Sequence, residues 1–258
     1  MIYKTLTVTE DAGIGTITMN RPTLMNALNT QMRAEITAAV RDLGARMRVL
    51  VLTGEGRAFC SGQDLGDGAS VDELDLGRIL REEYEPMLRA ISECPVPVIA
   101  AVNGAAAGAG ANLALAADVV IATQSAVFLQ AFTRIGLIPD AGGTYWLPRL
   151  VGFARAMGQA LFAEKVTADD AAQMGLIWAS IPDDKFDAEW KARAAQIANG
   201  PTLAYGAVKQ AMRQSLTNDL DAQLEVEARL QGEMGATRDF REGVMAFLEK
   251  RPAKFQGR

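Results

Sequence analysis

Three apolar runs in the first half of the chain limit the fold more than any other feature. They are Val49–Leu52, Val96–Val102 and Asp118–Ala122. Runs without alternating polar residues are typical of strands that are covered on both faces. Apolar residues at helical spacing lie between and before these runs, in 29–43 and within 70–93. The alternation predicts an α/β core.

A strand pair precedes this core and a helical tail follows it. Leu6–Val8 and Gly15–Met19 surround a glycine-containing turn, which predicts two strands. After about residue 185 the pattern predicts helices only, separated by glycine, proline and asparagine breaks. These helices are Asp187–Ala198, Thr202–Ser215, Asp219–Gln231 and Asp239–Lys250. We therefore divide the chain into a core, 1–195, and a C-terminal helical region, 196–258.

The C-terminal helical region carries more apolar side chains than an isolated tail can cover. They include Met212, Leu216, Leu220, Leu224, Val244, Phe247 and Leu248. Large exposed apolar patches mark contact surfaces. We expect this region to pack on the core and also on another subunit.

Composition excludes several classes of protein. A chain of 258 residues can form one large domain or a domain with an appendage. A net charge of −5 argues against a nucleic-acid-binding surface, which needs clustered Lys and Arg. No apolar run is long enough to span a membrane, and residues 1–5 lack the apolar core of a signal peptide. Two cysteines, Cys60 and Cys94, give no disulfide framework, so a cytoplasmic location is expected.

The chain contains no histidine. This excludes Ser-His-Asp and Cys-His catalysis and removes the commonest metal ligand. Acid–base chemistry must therefore use Asp, Glu, Lys, Tyr or Cys. Cys60 has no apparent basic partner, so the pattern favours a buried, unreactive thiol over a nucleophile. No metal site is predicted.

Two glycine-containing loops, Arg57–Leu65 and Asn103–Asn112, each follow a predicted strand. Glycine permits backbone geometries that leave main-chain N–H groups pointing into a cleft, where they can stabilise an oxyanion. Ordinary strand-to-helix turns would explain either loop equally well. The Gly108-x-Gly110 pair is not a dinucleotide-binding fingerprint, because the third glycine and the distant acidic residue are both missing.

Asp140 is the carboxylate that most strongly suggests acid–base chemistry. It lies in the apolar and glycine-rich run Ile135–Thr144. Apolar surroundings raise the pKa of a carboxyl group, which suits a proton shuttle near neutral pH. The same residue is also placed to cap a helix that begins near Gly143. The local sequence leaves both interpretations open.

Motifs along the whole chain resemble those of one family. In order, they are Asn20–Pro22, Asn26–Asn29, Phe59–Asp64, Asn103–Gly110, Ala117–Asp118, Gly136–Thr144 and Phe247–Pro252. Together they resemble the enoyl-CoA hydratase/isomerase (crotonase) superfamily. The resemblance implies a spiral of ββα units, with C-terminal helices that join subunits into homotrimers, often paired as homohexamers. It also implies an acyl-CoA thioester as substrate. Coenzyme A is part of that substrate, and no separate cofactor is expected.

The resemblance also implies the site residues. The backbone N–H groups of Gln63 and Ala109 are expected to hold the thioester oxygen. Asp140 matches the position at which some isomerases of the family place their acid–base carboxylate. Other residues are expected to line the acyl-CoA site. They are Ala27, Ala58, Cys60, Ser61, Gly62, Asp64, Leu65, Gly108, Asn112 and Phe132.

The chain departs from the hydratases of this family at two positions. Those enzymes use two glutamates, and the matching positions here hold Asn112 and Phe132. Neither side chain takes up a proton at neutral pH, so efficient activation of water is not expected. Asp140 remains, and one carboxylate suffices to move a proton from one carbon to another. We therefore expect an isomerase.

A narrower resemblance concerns the acyl group. Ala131–Arg149, Arg155–Gly158, Met174–Trp178 and Arg241–Arg251 resemble the ring-1,2-epoxyphenylacetyl-CoA isomerases of phenylacetate degradation. This implies conversion of the arene epoxide to oxepin-CoA, a shift of 3-enoyl-CoA double bonds to position 2, or both. The alternatives are a general enoyl-CoA isomerase, a hydratase, and a non-enzymatic CoA- or RNA-binding protein.

Four apolar residues are candidates to line an aromatic acyl pocket. They are Phe128, Phe132, Ile138 and Trp146. Core packing is the competing explanation for each of them.

Overall fold

Three successive segments each give one strand to a large sheet and the next strand to a small one. The computed structural model describes residues 2–66 and 75–257. The strand pairs are β3 (Val49–Gly54) with β4 (Ala58–Cys60), β5 (Val98–Val102) with β6 (Ala105–Ala107), and β7 (Val119–Thr123) with β8 (Val127–Leu129). A helical segment follows each pair. This confirms the predicted α/β fold of repeated ββα units.

Within the described residues the large sheet has the strand order β1-β2-β3-β5-β7-β10. Strands β1 (Leu6–Asp11) and β2 (Ile14–Met19) form the predicted antiparallel pair, and β10 (Ala179–Ile181) lies at the opposite edge. The pairs β2–β3, β3–β5, β5–β7 and β7–β10 are all parallel. The continuous apolar runs therefore do form adjacent strands of one sheet.

Helices cover both faces of the large sheet. Alternate residues of β3, such as Leu50, belong to the main core with helices α1 (Thr30–Gly44) and α3 (Glu85–Ser92). The residues between them, such as Val49 and Val51, pack instead against helix α8 (Phe186–Ala198). Burial on two faces explains why these strands show no polar alternation.

The small sheet has the order β4-β6-β8-β9 in the described chain, with β9 formed by Lys165–Thr167. Strands β4, β6 and β8 are parallel, and β9 pairs with β8 in the antiparallel sense. Each strand is only three residues long. Such lengths are too short for a periodicity to be recognised, so the sequence did not predict this sheet.

Seven α-helices precede residue 180 in the described chain, and the first begins and ends one residue from the predicted helix 29–43. They are α1 (Thr30–Gly44), α2 (Leu76–Ile79), α3 (Glu85–Ser92), α4 (Ala109–Leu115), α5 (Gly143–Val151), α6 (Phe153–Phe162) and α7 (Ala168–Gln173). Asn29 caps α1, because its side-chain oxygen accepts a hydrogen bond from the Met32 N–H at 2.9 Å. A π-helical turn, Leu80–Tyr84, joins α2 to α3. Of the predicted 70–93 segment, 70–74 lies outside the described residues.

The C-terminal helices are α8 (Phe186–Ala198), α9 (Thr202–Gln214), α10 (Leu220–Gly235) and α11 (Arg238–Leu248). All four were predicted. The predicted boundary at residue 195 falls inside α8, and the division into two regions stays a prediction. The seven apolar side chains noted in this region are all exposed in the single chain.

A partly buried ion cluster joins α9 to the core. The Asp118 carboxylate accepts from Lys209 Nζ at 2.7 Å and from Arg213 Nη2 at 2.8 Å. It also accepts from the Val98 N–H at 2.9 Å. Asp118 therefore fixes the C-terminal helices relative to the large sheet. Among the described residues, no helix combines the length and the apolar character needed to cross a membrane.

Candidate active site

The first glycine-containing loop turns one backbone N–H group away from the segment with which the loop pairs. Leu28 N–H donates to Gly62 O at 2.8 Å, and Asp64 N–H donates to Leu28 O at 3.1 Å. In this parallel pairing the intervening N–H of Gln63 points away from Leu28. Gly62 has φ +99°, and a Cβ there would lie 2.9 Å from Ala107 O. Only glycine fits this turn.

The second loop presents another N–H group next to the first. Gly108 has φ +53° and immediately precedes α4. Ala109 is the first residue of α4, so its N–H has no acceptor within the helix. A Cβ placed on Gly62 would lie 3.6 Å from Ala109 N, so the two loops are in contact. Two neighbouring N–H groups of this kind are suited to bind one oxygen atom.

Arg21 ties the first loop to the segment before α1. Its guanidinium donates to Asp64 Oδ2 at 2.8 Å and to Ala27 O at 2.5 Å. Ser61 N–H donates to Met25 O at 3.0 Å, which adds a second link between the same segments. The structure thus brings Ala27, Ser61, Gly62 and Asp64 together, and that they line the acyl-CoA site stays a prediction.

The side chains of Ala58 and Cys60, both predicted to line the site, point into the protein interior. Ala58 and Cys60 lie in β4 and are fully buried, and a Cβ on Gly110 would collide with the Cys60 main chain. Burial raises the pKa of the Cys60 thiol to about 12, so a nucleophilic thiolate is not formed. These two residues can contact a ligand only through their backbone. Leu65, by contrast, is exposed at the surface.

The Asp140 carboxyl group is half-buried between a 3₁₀ helix, Ala131–Ile135, and α5. Its Oδ1 atom is buried and accepts no hydrogen bond from any described residue. Burial raises the pKa of Asp140 to about 6. The capping interpretation is wrong, because Gly142 is the N-cap of α5 and makes no side-chain bond. It is the main-chain oxygen of Asp140 that accepts from Gly143 N–H, at 2.8 Å.

The two positions that carry glutamate in hydratases of the family lie close to these groups. Asn112 is fully buried; its Nδ2 donates to Asp140 O at 2.7 Å, and its Oδ1 accepts from Gln130 Nε2 at 2.9 Å. Both polar atoms of the Asn112 amide are therefore hydrogen-bonded within the protein. Phe132 is also buried, and its Cζ would lie 3.8 Å from a Cβ on Gly108. Neither position holds a titratable group.

Tyr84 is a polar residue of this region that sequence reasoning treated only as part of a helix face. It ends the π-helical turn, is buried, and its hydroxyl has no hydrogen-bond partner among the described residues. The Arg33 guanidinium lies 4.8 Å from the centre of its ring. Burial raises the pKa of Tyr84, and the nearby Asp140 carboxylate contributes to that rise. A tyrosine on the buried face of a helix was the available signal, because its hydroxyl normally finds a partner.

The four predicted aromatic-pocket candidates differ in their surroundings. Phe128 and Phe132 are buried, and Trp146 is partly buried against the main core. Ile138 is 75% exposed, so in the single chain it lines neither a core nor an enclosed pocket. In residues 2–66 and 75–257, no three Cys, Asp or Glu side chains are grouped as a metal ion would require.

Comparison with known proteins gives the family. The chain matches the enoyl-CoA hydratase/isomerase family over residues 9–258. It is 64% identical, over the full length of both chains, to a Rhodobacter capsulatus protein described as a probable enoyl-CoA hydratase. It is 44% identical to the 1,2-epoxyphenylacetyl-CoA isomerase of Escherichia coli K12, covering 96% of this chain and 97% of that one.

Solved structures agree with the sequence relatives. An enoyl-CoA hydratase from Bacillus anthracis superposes with a TM-score of 0.92 at 30% identity, covering 99% of this chain and 100% of that one. The protein therefore belongs to the enoyl-CoA hydratase/isomerase family and has the crotonase fold. It is an enzyme of that family, and the family implies an acyl-CoA thioester as its substrate.

Proposed function

We propose that the protein is an acyl-CoA isomerase in which Asp140 is the single acid–base group. The observation that carries this proposal is the buried Oδ1 atom of Asp140, which has no hydrogen-bond partner in the described chain. A carboxyl group with a pKa of about 6 is mostly ionised at neutral pH, so it can accept a proton, and it is a strong enough base to hold that proton briefly before donating it again. Asn112 and Phe132 supply no second proton carrier.

The proposed mechanism uses the two loops to stabilise charge. The N–H groups of Gln63 and Ala109 hydrogen-bond to the thioester oxygen and stabilise the negative charge that develops there. Asp140 removes a proton from C2 of a 3-enoyl thioester, which forms a dienolate. The protonated carboxyl group then returns the proton to C4, which leaves the double bond between C2 and C3. Asp140 ends the cycle ionised, as it began.

For the acyl group we propose ring-1,2-epoxyphenylacetyl-CoA, with oxepin-CoA as product. The 44% identity to the Escherichia coli isomerase supports this choice. The unpaired Tyr84 hydroxyl gives further support, because it is a buried donor near Asp140 and an epoxide oxygen is a suitable acceptor. A general 3-enoyl-CoA isomerase would use the same acid–base group without needing this donor.

Hydration is the second candidate activity. The Rhodobacter capsulatus relative described as a probable enoyl-CoA hydratase is 64% identical, which favours it. The absence of carboxylates at positions 112 and 132 opposes it, since hydration requires both activation of water and delivery of a proton.

A turnover assay with three thioesters separates these candidates. Purified protein is supplied with a 3-enoyl-CoA, a 2-enoyl-CoA and ring-1,2-epoxyphenylacetyl-CoA, and the products are separated by chromatography. We expect isomerisation of the first, little hydration of the second, and oxepin-CoA from the third. Rapid hydration of the 2-enoyl-CoA would contradict the proposal.

Changing Tyr84 to phenylalanine tests the second polar group of the site. The variant removes a buried hydroxyl that has no hydrogen-bond partner in residues 2–66 and 75–257, so the free energy of unfolding is expected to be unchanged or to rise by about 1 kcal/mol. The ratio of kcat/KM for the epoxide to kcat/KM for a 3-enoyl-CoA is expected to fall by roughly 10-fold, since only the epoxide loses a hydrogen bond. Chemical denaturation and paired assays measure both quantities. Equal losses for both substrates would show that Tyr84 does not select the oxygen-bearing acyl group.

We also propose that the protein is a homotrimer or homohexamer and is cytoplasmic. The exposed apolar side chains of the C-terminal helical region, among them Phe247 and Leu248, support assembly. Cys60 and Cys94 are both free, which suits a reducing compartment.

A further inference from the structure

We infer that Asn112 is a positioning residue for Asp140, and that Gln130 orients Asn112. The inference rests on the proposed function of Asp140 as the acid–base group. Asn112 lies at a position where hydratases of the family carry glutamate, yet its amide is used entirely inside the protein. It acts on the reaction through the backbone of Asp140.

Three hydrogen bonds hold the Asp140 main-chain oxygen and the Asn112 amide in place. Asn112 Nδ2 and Gly143 N–H both donate to Asp140 O, at 2.7 and 2.8 Å. Gln130 Nε2 donates to Asn112 Oδ1 at 2.9 Å, which fixes which end of the Asn112 amide faces Asp140. Asn112 is 0% exposed and Gln130 is 4% exposed, so water does not compete for these groups.

The Asp140 segment needs such an anchor because regular structure does not hold it. Ala141 and Gly142 both have left-handed backbone angles, with φ +46° and +81°. The carbonyl of Asp140 is therefore the point at which the segment is attached to its neighbours. Glycine at position 143 allows Asn112 to approach this segment closely, because a Cβ on Gly143 would lie only 2.4 Å from Asn112 Nδ2.

The anchor also fixes the distance between the two halves of the site. Asn112 belongs to α4, the same short helix whose first residue is Ala109. A bond from Asn112 to the Asp140 backbone therefore sets the acid–base group relative to the N–H that holds the thioester oxygen. Small errors in such a distance reduce turnover strongly.

The acceptor, Asp140 O, explains why position 112 holds asparagine rather than a carboxylate. A carbonyl oxygen needs a donor, and an ionised carboxylate at position 112 would face Asp140 O without a proton. The Oε1 atom of Gln130 is buried and unpaired among the described residues. A buried, unpaired polar atom is unfavourable. Its presence here indicates that the other end of the same amide, which donates to Asn112, is needed.

The test is Asn112→Asp, which keeps the size of the side chain and the acceptor for Gln130 but replaces the donor. We expect kcat with a 3-enoyl-CoA to fall by roughly 10- to 100-fold while KM stays within about threefold. The added negative charge should also move the half-maximal pH of kcat/KM upward. Asn199→Asp, which makes the same change on the exposed end of α8, is the control and should behave as the wild type.

Gln130→Met is the second variant, because it removes the orienting donor together with the unpaired Oε1 and adds no charge. We expect kcat to fall by roughly 3- to 10-fold, with KM and the thermal unfolding midpoint maintained. A wild-type kcat in both variants, or a raised KM with unchanged kcat, would overturn the inference. An Asp140→Asn variant assayed in parallel separates the outcomes, since its full activity would instead refute the proposed function.

Discussion

Replacing Asp140 by asparagine is expected to reduce isomerase turnover by roughly 10²- to 10⁴-fold. The amide has nearly the same shape as the carboxyl group but cannot carry a proton between carbons. Its backbone oxygen still accepts from Asn112 and Gly143, so the loop should keep its conformation. Steady-state assays and coenzyme A binding measure the two effects. Near-normal turnover would place the acid–base group elsewhere.

The same substitution is expected to stabilise the protein at neutral pH. Burial raises the pKa of Asp140 from 3.8 to about 6, so the folded state holds its proton more tightly than the unfolded state. The wild type therefore loses stability as the pH rises through this interval, and has no such loss below about pH 4. A rise of about two pKa units corresponds to roughly 3 kcal/mol, an upper limit for a half-buried group.

Denaturation of wild type and Asp140→Asn at pH 4 and pH 8 measures this difference. The two proteins should have similar free energies of unfolding at pH 4, and the variant should be the more stable one at pH 8. A wild type that gains stability relative to the variant between these values would mean that Asp140 is stabilised as a carboxylate. That result would contradict the unpaired state of its Oδ1 atom.

Ala109→Pro is expected to reduce kcat by roughly 10²- to 10³-fold, the usual effect of removing one oxyanion donor. Proline lacks the N–H that we propose binds the thioester oxygen. Ala109 occupies the first position of α4, where the N–H has no intrahelical acceptor and proline is tolerated. The substitution therefore separates the loss of the donor from the loss of the helix.

Ala109→Ser is the matched control, because it keeps the N–H and changes only the side chain. We expect its kcat to remain within about threefold of the wild type. Thermal unfolding of both variants establishes that the fold is retained. A folded Ala109→Pro protein with wild-type kcat would exclude the Ala109 N–H as a donor to the substrate.

The large sheet could be predicted from the sequence because its central strands are covered on both faces. Val49–Leu52 and Val96–Val102 are apolar throughout, as is typical of strands buried on both faces. The small sheet could not be predicted, since strands such as Ala105–Ala107 are too short to show a period. The order of the sequence motifs indicated the repeated ββα units, which the spacing of apolar residues alone did not.

The candidate site was predicted in part for a similar reason. Asp140 and the two glycine loops could be located from composition and order, but the direction of a side chain could not. Whether Asp140 caps a helix or points into a buried space depends on the left-handed turn that follows it. Tyr84 and Gln130 were missed because each looks like an ordinary residue until its burial is known.

The pH dependence of kcat/KM, measured for wild type and Asp140→Asn, shows whether Asp140 carries the proton. A 3-enoyl pantetheine thioester is the substrate, because it lacks the phosphate groups of coenzyme A that titrate in the same range. We expect wild-type kcat/KM to rise with pH and to be half-maximal near the Asp140 pKa of about 6. The residual activity of Asp140→Asn should show no such rise. A flat wild-type profile, or the same rise in the variant, would contradict the assignment of Asp140 as the proton carrier.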